Sequence, residues 1–214
     1  MFGAIFEPGG AALLAAARQI TAVALAALAV KLLDDFLDQD GAEPDRARPV
    51  YALLALSVAT VLAPGLSLSL FLAAYALGML GELGRPFPSG LSGWQEMAVV
   101  TVLGLLLLGW REMLGSLLLM GGVQVGDDLI DWSADRGAGR RSLVARWGLG
   151  ESLFVLTIAF VLGWCLAPVK TTLVGAVSAG LWWTEQVSAR SKRGSPADGV
   201  DWGGRRDDDP VHPD

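Results

Sequence analysis

The sequence predicts an all-α protein, a multi-pass transmembrane helical bundle of about seven helices with two Asp-rich motifs at its cytoplasmic ends. Three observations predict it. The 214-residue chain is 53% apolar and only 18% charged, with a mean hydropathy of +0.49, a balance found in membrane proteins rather than in soluble domains of this length. Its apolar residues are gathered into runs separated by Pro, Gly and charge. Two of those runs end in aspartates.

The runs lie at about 11 to 33, 50 to 64, 66 to 82, 95 to 110, 112 to 131, 152 to 168 and 169 to 187. Several are shorter than the span of about 20 residues that crosses an average bilayer. The first, containing "AVALAALAV", is not expected to be a cleaved signal, because no Lys or Arg precedes it except Arg18, already inside the apolar stretch. Pro64 and Gly65 separate the second run from the third, and the segment from Gly84 to Pro88 ends the third. Ala167-Pro168 divides the last two, so these links read as short hairpin connections. Residues 1–188 form the expected helical domain, and 189–214, rich in Gly, Ser, Pro and charge, form an expected disordered cytoplasmic tail.

Alternating spans put the loops around 39 to 49, 83 to 94 and 136 to 150 on the same side as the tail, and those around 65, 111 and 168 on the other. The first side holds Arg46, Arg48, Arg85, Arg136, Arg140, Arg141, Arg146, Arg190, Lys192 and Arg193, against Arg111 and Lys170 opposite. Basic loops stay in the cytoplasm, so the expected N-terminus is outside and the C-terminus cytoplasmic in a multi-pass cell-membrane protein. Trp94, Trp110, Trp132, Trp147 and Trp164 fall near span ends and read as interface anchors.

Composition also removes chemistry. Cys165 is the one cysteine, read as a buried inert thiol, and His212 is the one histidine, in the tail. Disulfide, Cys-His, Ser-His-Asp and multi-histidine metal sites are therefore not expected. The net charge of −6 is uninformative by itself, since acids and bases share the same ends, and no nucleic-acid partner is expected.

Carboxylates remain. The first run closes with "KLLDDFLDQD", carrying Asp34, Asp35, Asp38 and Asp40, and the fifth with "DDLIDWSAD", carrying Asp127, Asp128, Asp131 and Asp135. At about 100° per residue, Asp35 and Asp38 lie about 60° apart, and Asp128, Asp131 and Asp135 share a sector of about 60°. Like charges at this spacing repel, and a helix C-terminus is the unfavourable end of the macrodipole for an acid, so capping does not explain them. A solvated acidic face would account for one cluster more easily than for two. Divalent cations are the natural partners of paired acids at a membrane edge. Asp128 and Asp135 are roughly 10 Å apart along the axis, too far to share one directly bound ion, so two or more ions or bridging waters are expected. Mg²⁺ keeps waters and favours one or two carboxylates plus phosphate oxygens; with arginines nearby, a diphosphate held through metal follows.

The segment "DDLIDWSADRGAGRRSLVARWG" resembles the second signature of the UbiA superfamily of intramembrane prenyltransferases: Asp-x-x-Asp-x-x-x-Asp, then Gly139, the basic Arg140 and Arg141, Ser142 and the closing Gly148. "DDFLDQDGAEPDRARPVYA" resembles the first signature, with Asp34 in the Asn place, Asp35 and Asp38 matching, and Arg46, Arg48 and Pro49 close to the basic element. It departs at Ala42, where the third acid is expected, with Asp40 as a shifted substitute. The resemblance covers roughly 15 to 190, with Tyr75 and Arg85 near the place of the family's loop tyrosine and basic residue. Family members usually have nine helices; the equivalents of the first and last are expected to be absent here.

The resemblance implies a bundle whose cytoplasmic mouth binds an isoprenoid diphosphate through Mg²⁺ and transfers the prenyl group to an acceptor. It implies Asp35, Asp38, Asp128, Asp131 and Asp135 as catalytic metal holders, with Asp34 beside them, and Arg46, Arg48, Arg140 and Arg141 as neutralisers of the leaving diphosphate. Arg85 joins them as a substrate contact. Gln124, one turn from Asp128, is a cavity-lining candidate, an interhelical hydrogen bond being the competing reading. Gly121, Gly122 and Gly126 read as sites of close helix approach. The expected partners are the lipid bilayer, the isoprenoid diphosphate, and a second copy or another membrane protein supplying the missing walls.

Two other classes compete: a non-catalytic isoprenoid-lipid or divalent-cation binding protein that keeps the site, and a small cation transporter. Acids gathered on one side with none in mid-membrane argue against transport. A CDP-alcohol phosphotransferase is set aside, because "DGAEPDRAR" lacks the Asp-Gly-x-x-Ala-Arg spacing.

Overall fold

The computed structural model describes residues 8–37, 47–84, 86–87, 89–138 and 143–193. Among them are eight α-helices: α1 Pro8–Leu37, α2 Ala47–Leu62, α3 Pro64–Gly78, α4 Gly93–Leu108, α5 Trp110–Ala138, α6 Leu143–Trp147, α7 Leu149–Leu166 and α8 Pro168–Arg193. A 3-10 turn, Met79–Glu82, follows α3, and the described residues contain no strand, only an isolated bridge between Pro86 and Ser92. Gly10–Phe36, Trp110–Ile130 and Leu149–Leu166 are long and apolar enough to cross a membrane, while α2, α3 and α4 are shorter apolar helices. Each apolar run of the sequence falls on a helix. Two expectations shift: α6 occupies what read as a loop, and α8 runs on to Arg193, past the expected start of the tail at 189. Residues 194–214 lie outside the described set.

The chain divides into two compact units, Met1–Ser178 and Ala179–Asp214. Described residues of the second are helical to Arg193 and expose Leu181, Trp182, Trp183 and Val187. The first holds the bundle.

Single residues join its helices. Ala63 (φ −150°, ψ 83°) precedes Pro64, and Ala167 (φ −152°, ψ 75°) precedes Pro168. A proline excludes the residue before it from the α region, then supplies a preset φ for the first helical position, so each Ala-Pro step ends one helix and opens the next. Ala63 N–H donates to Ala59 O at 2.9 Å while its own carbonyl accepts from Ser67 N–H at 2.9 Å, so the break leaves the link residue's own groups paired. Gly109 makes the α4 to α5 link at φ 88°, a conformation that favours glycine.

Close contacts give the helix directions. Glycines of α5 meet α7 in reverse order: a Cβ on Gly115 would lie 3.8 Å from Ala167, one on Gly122 3.3 Å from Ala159, and one on Gly126 3.9 Å from Leu156. Those helices are antiparallel. Between α3 and α5 the order is direct, since Lys170 bonds both Ser69 and Ser116 while Gly121 lies against Leu77. With the single-residue reversals and the α1–α2 packing of Ala29 against Ala52 and Ala55, helices α1, α3 and α5 run one way and α2, α4 and α7 the other. The Asp-bearing C-terminal ends of α1 and α5 therefore share one end of the bundle, and the Ala63, Gly109 and Ala167 links share the other.

The core is narrow and small-residued: Val23, Leu70, Leu119 and Val174 form its largest buried cluster, from α1, α3, α5 and α8. Much of the apolar surface, including Leu53, Val61, Leu106, Phe154 and Val161, is exposed. That pattern suits a solvent that is itself apolar, where helices associate through close packing of small residues.

Candidate functional site

Asp34 and Asp35 lie in the last turn of α1, both exposed. Arg48, in the first turn of α2, reaches across the connection: its Nη1 donates to the Asp35 carbonyl at 3.3 Å and stands 3.9 Å from Asp35 Oδ2. The sequence assigned these two side chains to metal and to diphosphate; the structure pairs them with each other.

On α5, Asp127 is exposed and Asp128 half-buried, with Gln124 half-buried one turn earlier. Asp131 and Asp135 lie on the same helix, which continues to Ala138, though their side chains are outside the described set. Asp38, Asp40, Arg46, Arg85, Arg140 and Arg141 also lie outside it. Among the described residues no group of three or more His, Cys, Asp or Glu side chains converges as a metal site.

The helices α1 and α5 share more than direction. Val23, Ala26 and Val30 of α1, Leu70 of α3, Met120 of α5 and Val174 of α8 line one apolar pocket inside the first unit. Val30 is one turn from Asp34, about 6 Å along the axis, and Met120 about 12 Å from Asp128. The pocket thus ends about one turn short of Asp34 and two turns short of Asp128.

No family model, curated protein or solved structure matches the chain. Its site is therefore read from its own geometry.

That geometry contains two polar nodes that sequence reasoning missed. Near the link end, Lys170 of α8 is only 5% exposed. Its Nζ donates to Ser69 Oγ and Ser116 Oγ, each at 3.0 Å, to the Glu112 carbonyl at 3.3 Å, and to the Glu112 carboxylate in a salt bridge. The sequence counted Lys170 as a loop charge. A signal was available, since "PVK" begins a helix with Lys at its third position, next to an apolar face, but its partners lie 54 to 101 positions away.

At the Asp-bearing end, Glu96 of α4 is buried, accepting from Tyr75 Oη at 2.6 Å and from Ser89 Oγ. Gln95 Oε1 accepts from Ser92 N–H at 2.9 Å, closing the start of α4, and Trp94 N–H donates to Leu83 O at 3.1 Å. Together these bonds hold the segment between α3 and α4 against the helix ends. Tyr75, which the sequence placed near a family loop, is anchored in α3 and fixes Glu96.

The glycines behave as expected, Gly122 most clearly, where a Cβ would lie 3.2 Å from Phe160 Cε2. Cys165 does not. It is exposed, because Gly163 turns toward Leu119 and a residue two positions on points roughly the opposite way.

Proposed function

We propose that the chain is a membrane-embedded, prenyltransferase-like protein that binds an isoprenoid diphosphate at the shared end of α1 and α5 and transfers the prenyl group to an acceptor. One observation carries the reading: the two helices that end in aspartates run in the same direction and line the same apolar pocket. An isoprenoid diphosphate has that polarity, an apolar chain with one strongly anionic end.

In this reading the helices cross the bilayer as seven spans, with the Asp-bearing end cytoplasmic and the N-terminus outside. The burial of Lys170 against Glu112 supports the orientation, since among the described residues it leaves Arg18 and Arg111 as the exposed bases toward the links. Hard carboxylate oxygens at Asp34, Asp35 and Asp128 fit Mg²⁺, which takes few protein ligands and completes its shell with water and phosphate. Bound there, Mg²⁺ would neutralise charge on the departing diphosphate. Asp35, Asp38, Asp128, Asp131 and Asp135 would hold it, with Arg46, Arg48, Arg85, Arg140 and Arg141 orienting the diphosphate and Gln124 facing the substrate. The pocket between α1, α3, α5 and α8, about 40 Å³, holds at most a few carbon atoms of the chain as it stands, so binding would need the helices to part there.

Arg48 bound to Asp35 favours a second reading, a protein that binds such lipids or divalent cations without turnover, because the acid has a cationic partner already.

Mg²⁺-dependent diphosphate release from farnesyl or geranylgeranyl diphosphate, by the protein in lipid, separates the readings. Release that is lost in Asp128→Ala supports the enzyme. Binding without release under a broad acceptor panel supports the binding protein, and the absence of any Mg²⁺-dependent binding removes both.

A further inference from the structure

The exposed tryptophans mark two levels on the bundle. Trp94 and Trp110 bracket α4, Trp147 and Trp164 bracket α7, and all four are exposed. Between them the two helices expose Val99, Val102, Leu106, Phe154, Ile158 and Val161, an apolar face in which Glu151 and Thr157 are the exposed polar residues. At 1.5 Å per residue the 16 residues of α4 measure about 24 Å and the 18 of α7 about 27 Å.

Charges on other helices stand at the same separation. On α1, exposed Arg18 and Asp34 are about 24 Å apart along the axis, with exposed Lys31 one turn inside Asp34, and on α5, Trp110 and Asp127 are about 26 Å apart. The helices α2 and α3, of 16 and 15 residues, reach only about 22 to 24 Å before the Ala63 link. Arg111 lies 5.4 Å from the Trp110 ring, joining a cation to the aromatic at the link level. Six helices of different sequence thus fall within about 22 to 27 Å. An average bilayer has a hydrocarbon core of about 30 Å, and tilt would only shorten the distance these helices cover.

We propose that this surface is built for a bilayer whose hydrocarbon core is about 25 Å thick, thinner than average, with the tryptophans at its two edges. The proposal rests on the membrane reading alone and is independent of any catalysis. It puts Asp34 and Asp127 at the hydrocarbon boundary, while the Lys170–Glu112 node lies at the opposite edge beside Trp110, with the ammonium buried and the half-exposed Glu112 carboxylate at the headgroup level. In a thicker bilayer the links at Ala63, Gly109 and Ala167 and the charges opposite would be drawn into hydrocarbon, at a cost of fractions of a kcal/mol for each ångström of mismatch.

The test reconstitutes the full chain in phosphatidylcholine vesicles of increasing monounsaturated chain length, from dimyristoleoyl through dioleoyl to dierucoyl, and follows thermal unfolding by circular dichroism. The midpoint should be highest in dimyristoleoyl vesicles and fall with each lengthening. A second readout uses Cys165, exposed and adjacent to Trp164 at the link level. A polar maleimide present on both sides should label it readily in dimyristoleoyl vesicles and at least several-fold more slowly in dierucoyl. A midpoint that peaks in dierucoyl vesicles, or one that does not change across the series, overturns the proposal. Failure to enter any of the vesicles would instead overturn the membrane reading beneath it.

Discussion

Lys170 and Glu112, 58 positions apart in the chain, meet in the first turns of α8 and α5, where the Lys170 ammonium is 5% exposed and the Glu112 side chain 45% exposed. The asymmetry sets what each substitution does. Glu112→Ala strips the counter-charge from an ammonium that cannot reach water, leaving it only the serine hydroxyls and a carbonyl, and costs about 2 to 3 kcal/mol. Lys170→Met leaves a carboxylate that water can still reach, and costs less, about 1 kcal/mol. Unfolding midpoints in mild detergent should rank native above Lys170→Met above Glu112→Ala; the reverse order would mean that the buried lysine is satisfied without its acid.

Helix approach at glycine gives a second prediction. A Cβ at Gly163 would lie 2.8 Å from Leu119 Cδ2, and Leu119 is fully buried with nowhere to move. Gly163→Ala and Gly122→Val should each destabilise the protein by about 1 to 3 kcal/mol by forcing α5 and α7 apart. Gly65→Ala, in the first turn of α3 with open space around it, should be neutral or slightly stabilising. Chemical unfolding of the three variants side by side checks the contrast.

Tyr75→Phe removes one of the donors that hold Glu96 while keeping the ring in α3. The segment from Leu83 to Ser92 should then exchange its amide hydrogens faster, with α5 and α7 unchanged. Hydrogen exchange read by mass spectrometry over those peptides is the measurement, and unchanged protection would show that Ser89 and the Trp94 to Leu83 bond suffice.

Arg48 and a divalent cation compete for Asp35. In the absence of diphosphate, Arg48→Ala should tighten Mg²⁺ binding about two- to fivefold, the worth of one partly exposed ion pair. With diphosphate present the sign reverses, because the guanidinium then has an anionic partner to hold. Mn²⁺ titrated as a paramagnetic substitute reads both states, and an identical response of native and variant chains would remove Arg48 from the site.

Local sequence accounts for what depends on neighbours in the chain. Apolar runs of helical length, interrupted by Pro64 and Pro168, are enough to specify helices and the breaks between them, because proline acts on the backbone at its own position whatever surrounds it; the α4 to α5 break, expected around 111, falls at Gly109. The placement of Asp34 and Asp35 in the last turn of α1 follows from the same local rules, whereas α5 runs on to Ala138, about three turns past Asp127 and Asp128. Tertiary packing alone decided which distant residues meet. Lys170 carries the same charge in a loop as in a core, and only the convergence of α3, α5 and α8 shows that it is buried among Ser69, Ser116 and Glu112. Cys165 faces outward because the small side of α7 at Gly163 belongs to Leu119, a preference that no local pattern encodes. The same holds for Arg48 on Asp35, for Tyr75 on Glu96, and for the pocket shared by α1 and α5. Such contacts depend on helix direction and rotation in the assembled bundle, which interhelical packing fixes and sequence spacing does not.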